Sequence, residues 1–229
     1  MTSTFVIVGY GPGISHAVAE RAGADGHRLA LVGRTESRLG EGVAALAQAG
    51  IDAAAYPADA SDPASLGEAL ARITADAESV AGVLWTAFRG GNVTDVLAAD
   101  PATLGDVFGV GVRGLLTTVQ ALREPLVASG GVVLVANGAL GEASEQMDAV
   151  SQMLGADGTA LECAAKSKLV GLLAERLRGD GVYVGQITVA GSVSGTATAS
   201  PTAISAASIA EQFWSMASER SETRTRIAE

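Results

Sequence analysis

The run Phe5-Val-Ile-Val-Gly9-Tyr-Gly11-Pro-Gly13-Ile-Ser15-His16-Ala17 constrains this chain more than any other stretch. An apolar run passes through three glycines at alternate positions and then into a helical pattern. A strand-to-helix turn that cradles a diphosphate has this form. Glycine lets the backbone come close to the anion, and the free N–H groups at the start of the helix face it.

The sequence downstream repeats the same alternation. Runs rich in Val, Ile and Leu at Thr4 to Val8, Arg28 to Val32, Asp52 to Tyr56, Gly82 to Thr86, Gly131 to Ala136 and Val182 to Val189 predict six strands. Helical patterns lie between and after them, at Ile14 to Gly23, Ser37 to Ala49, Pro63 to Ala75, Pro101 to Ala128, Gly158 to Arg178 and Ile204 to Ser218. Such alternation predicts an α/β, Rossmann-type doubly wound fold, a parallel sheet with helices on both faces. The β-tolerant end, Thr223 to Ala228, adds a seventh strand at the sheet edge. With 229 residues and no break in composition, residues 1–229 read as one domain.

Composition narrows the function. A net charge of −10 without a basic run argues against a nucleic-acid or anionic-membrane partner. No apolar run reaches the length of a spanning helix, and the chain enters its first strand within three residues, leaving no space for a leader. The expectation is a cytoplasmic protein. Cys163, the only cysteine, excludes an internal disulfide and reads as a small buried thiol on a helix. His16 and His27 have no second metal-type ligand at useful spacing, so no metal site is expected.

The first turn departs from the common G-x-G-x-x-G fingerprint, whose third glycine position holds Ile14. Read as Gly9-x-x-x-Gly13-x-Ser15, it resembles the T-G-x-x-x-G-x-G signature of short-chain dehydrogenases/reductases, with Val8 for Thr and Ser15 for the last glycine. Arg34 ends the second run, where an acidic residue would favour NAD. Its guanidinium suits a 2′-phosphate, so NADP is expected over NAD. The resemblance implies that Asp59 and neighbouring Ala60 meet the adenine, and that Thr86 and Ala87 follow the fourth strand beside the cofactor. Ala190-Gly191-Ser-Val193-Ser194-Gly195-Thr196 resembles the family's Pro-Gly-x-x-x-Thr turn. There Ser194 or Thr196 is the hydroxyl that meets the nicotinamide carboxamide. The short loop after it implies an open or shallow substrate site. Asp62, before Pro63, reads as a helix N-cap.

The family's chemistry pairs a Tyr acid/base with a Lys four residues on, a Ser at the substrate oxygen and an Asn in a proton relay. Here Lys166 keeps its position, Glu162 stands for the Tyr, Gly138 for the Ser and Gly111 for the Asn. Glu162, if raised in pKa by burial, carries the proton, and Asn137 donates a hydrogen bond in place of the serine. The catalytic candidates are therefore Lys166, Glu162 and Asn137. Cofactor candidates are Gly9, Gly11, Gly13, Ile14, Ser15, Arg34, Asp59, Ala60, Thr86, Ala87, Lys166, Ala190, Gly191, Val193 and Thr196.

Three functions remain open at this point. One is an NADP-dependent oxidoreductase acting on a small carbonyl or alcohol with an atypical proton donor. Another is a catalytically inactive dinucleotide-binding sensor or scaffold. The third, a methyltransferase-like or nucleoside-binding domain, is opposed by Arg34 and the Lys166 helix. The resemblance also implies a homodimer or homotetramer paired through the two long helices.

Overall fold

Each apolar run of the sequence forms one strand of a single sheet. The computed structural model describes residues 2–89 and 92–229. The strands are β1 (Thr4–Val8), β2 (Arg28–Gly33), β3 (Ala53–Pro57), β4 (Val80–Trp85), β5 (Val132–Gly138), β6 (Tyr183–Ala190) and β7 (Arg224–Ala228). All neighbours are parallel, in the order β3-β2-β1-β4-β5-β6-β7. The order reverses at β1, and this reversal opens a crevice at the carboxyl ends of β1 and β4.

The helices are α1 (Ile14–Ala24), α2 (Glu36–Gln48), α3 (Pro63–Asp76), α4 (Leu115–Ser129), α5 (Glu145–Leu154), α6 (Asp157–Leu177) and α7 (Ala206–Glu219). Alternation along the strands divides the core between the two faces of the sheet. On β1, Val6 and Val8 pack with Leu70 of α3, Leu122 of α4 and Val170 of α6. Phe5 and Ile7 pack with Val18 of α1, Leu46 of α2 and Phe213 of α7. Burying both faces is why the strands are near-continuous apolar runs.

Local chemistry sets the helix ends. Asp62 caps α3, its carboxylate accepting from the Ala64 amide at 3.0 Å, with Pro63 in the first turn. Gly130 closes α4 at φ 60°, and the chain turns directly into β5.

Two expectations about helices need correction. Pro101 to Ala128 is not one α-helix but a 3-10 segment, Pro101–Phe108, a π-helical turn, Gly109–Gly114, and then α4. Glycines at 105, 109, 111 and 114 weaken this stretch as an α-helix. The wide turn also brings Gly114 so close to β4 that a Cβ there would collide with the Ala60 carbonyl and lie 2.8 Å from the Trp85 ring. In addition, α5 was not expected at all. Ser144 caps it, accepting from the Met147 amide at 3.2 Å, and Gly155 ends it at φ 58°.

Candidate active site

The predicted residues gather around two cavities at the carboxyl end of the sheet. The smaller, about 210 Å³, is lined by Gly9, Arg34, Asp59, Ala60, Thr86 and Ala87 of the expected set. The larger, about 850 Å³, is lined by Ile14, Thr86, Asn137, Lys166, Ala190, Gly191, Val193 and Thr196. Thr86 and Phe88 line both, so the two adjoin at the end of β4. Gly11, Gly13 and Ser15 lie in the turn between them and line neither.

The glycine turn is held by contacts that only glycine permits. Gly9 has φ 92°, and a Cβ on it would collide with the Ala87 backbone. Gly13 has φ 84°, and a Cβ there would sit 2.8 Å from Cγ2 of Thr196. The segment after β6 is thereby laid against the start of α1. Ser15 is buried, and its hydroxyl donates to the Gly11 carbonyl at 2.7 Å and accepts from the Gly11 amide at 2.9 Å. The side chain that replaces the family's last glycine thus braces the turn from within.

Thr86 donates from Oγ1 toward the carbonyls of Val8, 3.2 Å, and Gly9, 3.1 Å, tying the end of β4 to the turn. Asp59 accepts from the amide and hydroxyl of Ser61 at 2.8 and 2.7 Å, and its other oxygen lies 3.4 Å from Arg89. Burial works against the Asp59 carboxylate, but the Ser61 hydrogen bonds and the charges of Arg89 and Arg34 hold it below its ordinary range. Arg34, just after β2, and Arg38, in the first turn of α2, both line the smaller cavity. Neither guanidinium makes a hydrogen bond or ion pair with another described residue. Arg38 was missed by sequence reasoning, because it falls in the first turn of the next helix rather than at the end of the strand. Tyr10 was missed as well; its ring packs on Gly42, and its hydroxyl lies 2.8 Å from Nδ1 of His16.

In the larger cavity Lys166 is only 2% exposed. Burial pushes its ammonium pKa down, against the opposing pull of Cys163 and Glu162. Asn137 stands at the end of β5 with both amide hydrogens engaged, on the Cys163 carbonyl at 2.9 Å and on Gln186 Oε1 at 3.4 Å. The expected hydrogen bond from Asn137 to a substrate therefore has no free donor. Its Oδ1 has no protein partner, leaving a buried acceptor. Thr196 donates to the Val193 carbonyl at 2.7 Å, and Ser194 accepts from the Ala206 amide at 2.9 Å.

Glu162 is the clearest departure. It does not line the cavity of Lys166 and Asn137. Its carboxyl turns to the π-helical turn, where Oε1 accepts from the Gly111 amide at 2.5 Å, and it faces a third cavity of about 520 Å³ with Arg89 and Arg113. Burial raises its pKa, moderated by the Gly111 hydrogen bond and the charges of Lys166 and Arg89. A carboxyl so placed is biased toward its protonated form, but it stands away from the lining of the larger cavity.

Helix α5 supplies a wall through Met147, Val150 and Leu154, spaced to share one helix face.

A glycine-lined crevice at the switch point of a parallel doubly wound sheet, with a lysine on the helix beyond, defines a dinucleotide-binding oxidoreductase class. The comparisons agree with it. The family model described as short chain dehydrogenase matches residues 3–150, and the chain belongs to that family, one of oxidoreductases. No curated protein matches the chain in sequence.

Among solved structures, a short-chain dehydrogenase/reductase from Serratia marcescens aligns with TM-score 0.82 at 18% identity, covering 99% of this chain and 96% of that one. L-sorbose reductase from Gluconobacter frateurii, complexed with NADPH and L-sorbose, aligns with TM-score 0.83 at 17% identity, covering 100% and 95%. An alcohol dehydrogenase from Thermococcus sibiricus, complexed with 5-hydroxy-NADP, aligns with TM-score 0.80 at 18% identity, covering 100% and 96%. At these identities the likeness is one of fold. No helix among the described residues is long and apolar enough to cross a membrane.

Proposed function

We propose that the protein is an NADP(H)-dependent oxidoreductase that moves a hydride to or from a small carbonyl or alcohol, with Lys166 rather than a tyrosine handling the proton. The observation that carries this reading is the pair of adjoining cavities, with Arg34 and Arg38 in one and Lys166 in the other. The residues fit a dinucleotide. Gly9, Gly13 and the start of α1 would hold its diphosphate, Arg34 and Arg38 its 2′-phosphate, Asp59 its adenine, and the Ala190 to Thr196 turn its nicotinamide. When bound, that group supplies or accepts the hydride.

The chain's own contribution is the proton. Lys166 is a buried amine whose charged form is destabilised, which favours giving its proton to a developing alkoxide.

The second reading, an inactive dinucleotide-binding protein, is favoured by the position of Glu162 and by Gly138 where the family has serine. One experiment separates the two. NADPH binding is followed by fluorescence, and its oxidation is followed with a panel of ketones, aldehydes and quinones. Binding with turnover supports the oxidoreductase, binding without turnover supports the sensor, and absence of binding sinks both.

The chain is also proposed to act as a homodimer or homotetramer. Val127 of α4 and Leu161 and Leu172 of α6 are exposed apolar side chains on the two long helices. Sedimentation that shows only a monomer at micromolar concentration contradicts this.

A further inference from the structure

The larger cavity has chemistry of its own. Helix α5 turns Met147, Val150 and Leu154 into it, and Leu140, Phe88 and Val189 add to the apolar lining. Its polar side chains are mostly committed to the protein. Thr196 donates to the Val193 carbonyl, and Asn137 spends both amide hydrogens on Cys163 and Gln186. Ser192 donates toward Glu229, and Arg226 is ion-paired with Glu142 at 2.8 Å. Lys166 and, on the exposed side, Gln146 remain for a ligand oxygen.

A polyol entering such a site would give up water at each hydroxyl and regain few hydrogen bonds, a cost of roughly 1–3 kcal/mol for each one left unpaired. An apolar body with one oxygen loses little hydration and buries its carbon skeleton against α5. A free carboxylate finds Arg226 already neutralised by Glu142.

We infer that the site takes bulky, uncharged, predominantly apolar ketones or secondary alcohols, with α5 as the specificity wall and Lys166 as the buried polar anchor. This rests on the reading of the larger cavity as the substrate end of an NADP(H) oxidoreductase, and the test separates the two. Calorimetric titration of the full chain with 2-tetralone, L-sorbose and phenylpyruvate, each with and without NADPH, reads substrate binding independently of turnover.

The expected result is saturable binding of 2-tetralone, and affinities for L-sorbose and phenylpyruvate that are weaker by about tenfold or more. Val150→Glu, which sets a charge in the wall of a peripheral helix, should weaken 2-tetralone by about tenfold and leave NADPH affinity unchanged. Leu154→Gln serves as a second variant should Val150→Glu fail to fold, and it should weaken 2-tetralone in the same direction. Tighter binding of L-sorbose or phenylpyruvate than of 2-tetralone overturns the inference, as does a folded α5 variant that binds 2-tetralone unchanged. NADPH failing to bind while 2-tetralone binds overturns the cofactor reading and supports the apolar site.

Discussion

The carboxyl of Glu162 accepts the amide hydrogen of Gly111 at 2.5 Å, bridging α6 and the π-helical turn before α4. A Cβ built on Gly111 would lie 2.7 Å from both Cγ and Oε1 of Glu162. The two residues are therefore a matched pair, each possible because of the other. The resemblance puts an asparagine at 111 and a tyrosine at 162. Their joint absence is one structural change, in which a carboxylate fills the space opened by a glycine and satisfies an amide that a π-turn leaves free.

Gly111→Ala should then destabilise the fold by about 1–3 kcal/mol, the range for overpacking a filled interior. In a Glu162→Ala background the same substitution should cost less by more than about 0.5 kcal/mol, because contacting residues couple. Urea unfolding of the four proteins measures both numbers. Equal costs in the two backgrounds would show that the pair is independent.

Arg34 and Arg38 converge on the smaller cavity from the end of β2 and the first turn of α2. Charge-assisted hydrogen bonds to a phosphate contribute about 1.5–3 kcal/mol each, so Arg34→Ala should weaken NADPH by about tenfold to a hundredfold. Arg38→Ala should act in the same direction. Neither should change NADH affinity by more than a few-fold, since NADH lacks the 2′-phosphate. Fluorescence titration with both cofactors gives the ratio, and a parallel loss for NADH would remove the 2′-phosphate role.

The strands and the cofactor turn were legible in the sequence because both depend on local pattern. Apolar runs such as Leu29 to Val32 are buried on both faces, and Gly9 and Gly13 answer to backbone angles that few other residues adopt. Helix α5 was hidden because Glu145, Gln146, Asp148, Ser151 and Gln152 make it read as a polar loop. Its only signals are the Ser144 cap and apolar residues at 147, 150 and 154. The directions of Glu162 and of the Asn137 amide were not legible at all. They follow from partners far along the chain, Gly111 and Gln186, that no local spacing reveals.

Gly13→Ala should disturb the site through a specific neighbour. At φ 84° the alanine is strained, and its Cβ presses on Thr196 Cγ2. A cost of about 1–3 kcal/mol in stability is expected, with weaker dinucleotide binding because the segment after β6 is displaced. Thr196→Ser removes Cγ2 but keeps the hydroxyl that bonds the Val193 carbonyl. The double variant should recover part of the loss, leaving the backbone strain. No recovery in thermal melting or NADPH titration would place the whole cost in the backbone.

The buried pair Glu162 and Lys166 should leave a mark on the pH dependence of stability. Burial raises the Glu162 pKa above its ordinary 4.5, against the Gly111 amide and the charges of Lys166 and Arg89. In the window that opens above 4.5, the folded state holds a proton that the unfolded chain has released. The Glu162 contribution is thus fully present below 4.5 and is lost as pH rises through the folded pKa. Lys166 has the opposite sign. Burial lowers its pKa from 10.5, against Cys163 and Glu162, so the unfolded chain holds the extra proton and stability rises with pH through the lowered pKa toward 10.5. Differences between wild type and variant isolate these effects from other titrations. Glu162→Gln should remove the fall on the acid side. Lys166→Met should remove the rise on the alkaline side, and it should also move the Glu162 fall to higher pH, since a charge that holds that carboxyl down is gone. Urea unfolding at a series of pH values reads all three changes, and a Lys166→Met profile parallel to wild type above neutrality would mean that Lys166 is solvated in solution.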